Sequence, residues 1–173
     1  FMQPKGDELW VTNGRINELW ESGFDDYERR PYTQQRWPMN FIEIHPVDAK
    51  VRGIESGDLV SVESHRVPVQ KNFNLGVKSD DMWFSGLMKD GHIELVSGAY
   101  SAIAMVTSAI KQGVAFSEFL KPSAPANVIT PRVPDPITMN YRYKIASARV
   151  TRIGETVFKH SFSQMSFKRR DIV

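Results

Sequence analysis

Glu43-Ile44-His45-Pro46-Val47-Asp48-Ala49-Lys50-Val51-Arg52-Gly53-Ile54-Glu55-Ser56-Gly57-Asp58-Leu59-Val60-Ser61-Val62 holds four structural signals in one run. With Phe41 and Ile42 ahead of it, Glu43-Ile44 predicts the end of a strand. Pro46 suits the first helical position, where its missing N–H costs nothing. Asp48 suits the positive end of a helix dipole, and Gly53 suits the left-handed position just past a helix. Residues 46–53 therefore predict a two-turn helix. Glu55-Ser56-Gly57-Asp58 is a tight turn. After it, Val60 and Val62 alternate with Ser61 and Glu63, the period of a half-buried strand. The unit is strand, short helix, turn, strand.

Working outward, the segments stay short because 11 Gly and 10 Pro punctuate the chain. Leu9-Trp10-Val11 predicts a strand that ends at Asn13-Gly14, and residues 15–22 predict a short helix, with Ile16, Leu19 and Trp20 on one face. Residues 25–38 read as a long polar loop. Val67-Pro68-Val69 reads as an edge strand, since proline cannot donate to a ladder. Residues 71–91 read as a structured insertion containing Met82-Trp83-Phe84. Further strands are predicted at His92–Val96, Tyr100–Ile110, Gly113–Phe116 and Tyr141–Val150, with a proline-bearing loop or linker at 121–140. At least six short strands, two short helices and no βαβ rhythm predict a mainly β fold, a barrel or sandwich. Because a helix and long loops join strands as well as hairpins, a crossed barrel is the preferred architecture.

The composition excludes several classes. The chain has 173 residues, 41% hydrophobic and 24% charged, so a single ordinary core needs no staples. The longest apolar run, Ala102-Ile103-Ala104-Met105-Val106, is far below the ~20 residues of a membrane-spanning helix. With no cysteine, this chain has no disulfide, thiol catalyst or cysteine-held cluster. A net charge of +2 argues against nucleic acid as partner, and Glu28-Arg29-Arg30 and Lys168-Arg169-Arg170 read as solvated surface. The chain opens Phe1-Met2-Gln3-Pro4 without a signal-peptide pattern, which suggests a processed start or a piece of something longer.

Self-sufficient catalysis finds no motif. His45, His65, His92 and His160 are scattered, with no His-x-x-x-His pair to hold zinc. No serine-hydrolase elbow, P-loop or dinucleotide fingerprint occurs. Asp25-Asp26 and Asp80-Asp81 read as turn acids. No catalytic residue and no metal ligand is assigned.

Two further stretches carry binding chemistry. In Trp10-Val11-Thr12-Asn13-Gly14-Arg15-Ile16-Asn17-Glu18-Leu19-Trp20-Glu21-Ser22, a strand runs through Asn-Gly-Arg into a helix bearing a Trp. Glycine permits close backbone approach, a helix start offers free N–H groups, and Arg grips phosphate with two donors. That is either a phosphate cradle or a plain turn with a surface arginine. Ala126-Asn127-Val128-Ile129-Thr130, Asp135-Pro136 and Tyr141-Arg142-Tyr143-Lys144 offer an amide for a heterocycle edge, an aromatic for stacking and a charge.

In this order and spacing the three stretches resemble the C-terminal molybdopterin-dinucleotide-binding domain of the dimethyl sulfoxide reductase family. Gly14, Arg15, Trp20 and Ser22 match its opening pattern; Asp48, Ala49, Gly53, Ile54, Gly57 and Asp58 its middle; Asn127, Asp135, Pro136, Tyr143 and Lys144 its close. Asn13-Gly14-Arg15-Ile16-Asn17, Arg36-Trp37-Pro38 and Asn140-Tyr141-Arg142-Tyr143-Lys144 make the likeness strongest to the large subunit of arsenite oxidase. Residues 64–91 depart from the family's usual short hairpin.

The resemblance implies a six-stranded double-psi β-barrel over residues 1–153, with short helices and an extended C-terminal tail, 154–173, packed on a parent enzyme. It implies molybdopterin guanine dinucleotide as cofactor, with molybdenum held by the pterins and no protein ligand from this chain. The cofactor-binding residues it implies are Asn13, Gly14, Arg15, Trp20, Ser22, Asn127, Tyr143 and Lys144. It further implies a module of a molybdenum oxidoreductase, arsenite oxidase-like and inactive as the isolated chain. The partners implied are the remaining domains of the catalytic subunit and a small Rieske-type iron–sulfur subunit, in the periplasm, with no nucleic acid and no membrane span. The alternative is a double-psi barrel that serves as a protein-interaction module without cofactor.

Overall fold

The computed structural model describes residues 2–15, 29, 31–36, 38–71, 84–118, 125–135, 137–141 and 143–160. Six strands form its body: β1 (Leu9–Gly14), β2 (Phe41–Ile44), β3 (Asp58–Gln70), β4 (Ile93–Val106), β5 (Val114–Glu118) and β6 (Ile145–Glu155). They close into a barrel in the order β1-β5-β2-β4-β3-β6, with β6 pairing antiparallel to β1 to complete the ring. The β1/β5 and β2/β4 pairs are parallel, and each requires the chain to cross over. This is the crossed, mainly β barrel expected from the sequence.

The interior follows from alternation. Leu9 and Val11, Ile42 and Ile44, and Val60 and Val62 point inward and are buried, opposite Ala102, Ala104, Ala115, Ala146 and Ala148. Large branched residues on some strands face alanines on others, a size pairing that suits a narrow barrel.

The 43–62 unit folds as its residues predict. Helix α2 (Pro46–Val51) starts at His45, whose Nδ1 accepts from the Val47 N–H. Past Arg52, Gly53 takes φ +61°, the Gly53 N–H donates to the Lys50 carbonyl and the Ile54 N–H to that of Ala49. Those two bonds satisfy carbonyls that the helix end leaves free. The Asp48 carboxylate accepts from the Gly113 N–H at 2.7 Å, tying α2 to the entry of β5.

Several boundaries differ from expectation. Val67-Pro68-Val69 is no separate edge strand but the end of β3, beyond a register shift between Ser64 and Val67. The strands expected at 92–96 and 100–110 are the single β4, which ends at Val106. β6 begins at Ile145 instead of Tyr141 and continues to Glu155, with Gly154 opposite Leu59. Within the stretch expected to be loop, Pro31–Arg36 forms the short helix α1. Phe84–Lys89 forms another, α3. All but Arg15 of the helix expected over 15–22, and the tail beyond 160, lie outside the described residues. No helix among the described residues is long and apolar enough to cross a membrane.

Candidate functional site

The barrel brings together the first and last of the stretches expected to bind. Asn13 lies on the inward-facing register of β1, opposite Ser117, and is buried. Its Nδ2 donates to Oδ1 of Asn127 at 2.9 Å, across 114 positions of sequence. Its backbone N–H donates to the Lys144 carbonyl at 3.2 Å. Asn127, Lys144 and the end of β1 therefore meet at one rim.

Asn127 is held from behind. It belongs to a 3-10 turn, Ala126–Ile129, and both the hydroxyl and the N–H of Thr130 donate to its carbonyl, at 2.8 and 3.1 Å. Beside the turn is a cavity of about 450 Å³, whose lining includes Asn127, Thr130, Arg132, Tyr141 and Tyr143. That volume lies within the usual range for small-molecule sites, roughly 300–1,000 Å³. The Lys144 ammonium sits 5.0 Å from the centroid of the Tyr143 ring, within cation–π range.

Gly14 has a neighbour where a Cβ would stand: the Phe116 ring, at 2.9 Å. Packing between β1 and β5 is therefore one demand on this glycine, whatever approaches it from elsewhere. Arg15 follows the strand and is exposed. Trp20 and Ser22 lie outside the described residues.

One buried polar atom at this rim bears on the dinucleotide that the resemblance implies. Asn13 Oδ1 is buried and has no hydrogen-bond partner. An orphaned acceptor of this kind costs free energy unless a donor reaches it. Pterin and guanine edges both carry N–H donors, and the exposed Lys144 provides charge for a pyrophosphate. The residues present thus fit the dinucleotide. Among the described residues no group of three His, Asp or Glu side chains gathers to hold a metal ion.

Next to the rim, Glu118 ends β5. Its carboxylate accepts from the Phe41 N–H, and Oε2 has no partner. Burial pushes this carboxyl well above the usual range, with the Glu43 charge adding to the effect. Thr130, Arg132 and Glu118 are site neighbours that sequence reasoning missed. Thr130 was detectable in principle, because a hydroxyl three residues after Asn127 is a common local capping spacing. The others are placed by strand pairing alone.

Residues 9–76 match the family described as "Molydopterin dinucleotide binding domain". The chain is 51% identical over 166 residues to iodate reductase subunit IdrA of Denitromonas iodatirespirans, and 49% identical over 166 residues to the IdrA subunit of Pseudomonas sp. (strain SCT). Both alignments cover 96% of this chain, which spans 18% of the length of those relatives. Arsenite oxidase subunit AioA of Herminiimonas arsenicoxydans is 38% identical over 60 residues, 35% of this chain and 7% of that protein. The arsenite-oxidase likeness inferred from motifs is thus partial, and the iodate reductase likeness runs nearly the length of the chain.

Proposed function

We propose, on the premise that this chain is a molybdopterin-dinucleotide-binding domain of a molybdenum oxidoreductase, that it forms one wall of the cofactor site in an enzyme acting on an oxyanion. The observation that carries the reading is the Asn13–Asn127 hydrogen bond, which joins the two binding stretches beside a cavity of suitable size. When bound, the dinucleotides hold the molybdenum and supply its electron-transfer and oxygen-transfer chemistry.

The chain's own residues bind and orient. Asn13 fixes the Asn127 amide, leaving the Asn127 amide nitrogen to meet a heterocycle edge. Lys144 and Arg15 offset phosphate charge. Tyr143, with Lys144 over its ring, offers a stacking face. Trp20 and Ser22 belong to the same proposed set.

Iodate reduction is the preferred overall activity, because the likeness to the iodate reductase subunits covers 96% of the chain. Arsenite oxidation is the second reading, supported by the 60-residue match. A Rieske-type small subunit and a periplasmic location are part of the proposal on the strength of the motif resemblance. The cofactor-free interaction module finds no support in the relatives.

The test is cofactor content of the full-length subunit. Charge-assisted hydrogen bonds contribute about 1.5–3 kcal/mol, so Arg15→Ala is expected to lower cofactor loading roughly tenfold or more. Asn127→Ala should lower it as well. Pterin fluorescence after denaturation and metal content report the loss. Full loading and activity in both variants would overturn the site assignment. Assays with iodate and with arsenite decide between the two substrates.

A further inference from the structure

Every second residue from 137 to 145 is a large apolar or aromatic side chain left exposed: Ile137, Met139, Tyr141, Tyr143 and Ile145. These five are half of the exposed large hydrophobic residues among the described residues, ten in all, and they fall in one short stretch of chain. Ile137 is 80% exposed and Met139 59%.

The loop that carries the first two is ordered by its own hydrogen bonds. Asp135 Oδ1 accepts from the N–H groups of Ile137 and Thr138, at 3.1 and 2.9 Å, and from the Thr138 hydroxyl at 3.2 Å. The Met139 N–H donates to the Asp135 carbonyl, and the Asp135 N–H to that of Asn140, both at 2.8 Å. Met139 is held at φ +58°, a conformation that residues other than glycine rarely adopt. Apolar side chains are thus presented on a fixed frame, so little loop ordering remains to oppose docking.

We infer that this loop is a preformed docking knob for the remainder of the longer polypeptide in which such a domain sits, a partner that offers an apolar pocket to Ile137 and Met139. The inference rests on the reading of the chain as one wall of a larger molybdenum subunit. Two observations favour that occupant over a second copy. The chain spans 18% of the relatives matching 96% of it, so more than four-fifths of each relative lies outside the match. The same stretch also reaches the candidate cofactor cavity, which Tyr141 and Tyr143 line. A cofactor wall must be closed by the rest of its subunit, and a second copy seated there would block the mouth.

The test places a photo-crosslinking residue at position 137 of the full-length subunit and measures pterin content in the same sample. The expected product keeps the mass of one subunit, and its linked peptide joins position 137 to a residue outside the 173 of this chain. A product of two-subunit mass, a link to a different subunit, or no link at all would overturn the proposal. Pterin content judges the cofactor reading separately: a pterin-free sample overturns that reading, and the linked peptide still judges the docking.

Discussion

Gly98 has no side chain for a reason visible only in three dimensions. A Cβ there would lie 2.3 Å from the carbonyl oxygen of Val128 and 2.9 Å from its carbonyl carbon. Those are backbone atoms, so a rotamer change cannot relieve the clash. Val128 follows Asn127 in the 3-10 turn, so anything that lifts it also lifts the amide that Asn13 holds. Gly98→Ala is expected to destabilise the protein by about 1–3 kcal/mol, the usual cost of overpacking. It should also reduce pterin content in the full-length subunit. Unchanged thermal midpoint and loading would show that the turn yields freely. The sequence predicts separate strands at His92–Val96 and Tyr100–Ile110, and Gly98 falls in the gap between them. The contact with Val128 comes from a segment about thirty residues away and leaves no local trace. Asn13 and Asn127 are legible as polar residues in stretches expected to bind. Their mutual hydrogen bond follows from the turn 126–129 packing on β4 beside the end of β1, which no local pattern encodes.

At the level of elements, legibility follows how local the cause is. The helix Pro46–Val51 is readable because a proline, an acid and a glycine each act within one turn of it. The far end of β4, its continuity past Val96 and both ends of β6 are set by pairing partners and differ from expectation. The far end of β6 is fastened by a cluster that alternation could not reveal. Asp58, fully buried at the start of β3, accepts from the Glu55 N–H at 2.8 Å, from Arg152 Nε at 2.9 Å and from Lys159 Nζ at 3.1 Å. Burial alone would push its carboxyl up. The bonds from Arg152, Glu55 and Lys159 outweigh burial and hold it below the ordinary carboxylate range. A depressed folded-state value means the ionised form favours the native state. This stabilisation is full above the unfolded value, near pH 4, and is lost as pH falls through the folded one. Asp58→Asn is therefore expected to lower the thermal midpoint at pH 7, by roughly 4–8 °C if about 2 kcal/mol is lost. The gap to the parent protein should narrow as the pH drops below about 4. An equal gap at pH 7 and pH 3 would show that the ionised form contributes nothing.

For the whole molecule, the ring of pairings matters as much as the rim. Every strand has a neighbour on each side, because β6 returns to β1. Where β3 and β4 outrun their other neighbours, Arg132 bonds the β3 side: its N–H donates to the Pro68 carbonyl at 2.8 Å, and the Gln70 N–H to its own carbonyl at 3.1 Å. Pro68 itself has no N–H to offer. Among the described residues no barrel strand is left wholly unpaired along one side, so the closed ring offers a second chain no full-length edge for strand addition, the step that seeds fibrils. Expressed without the rest of its subunit, the chain still shows its apolar loop and has reason to cluster. Those clusters should be amorphous, built from intact barrels: thioflavin T should remain dark and infrared spectra should keep the native sheet band. Bright dye binding with a cross-β spacing near 4.7 Å would mean that the ring had opened before the chains met.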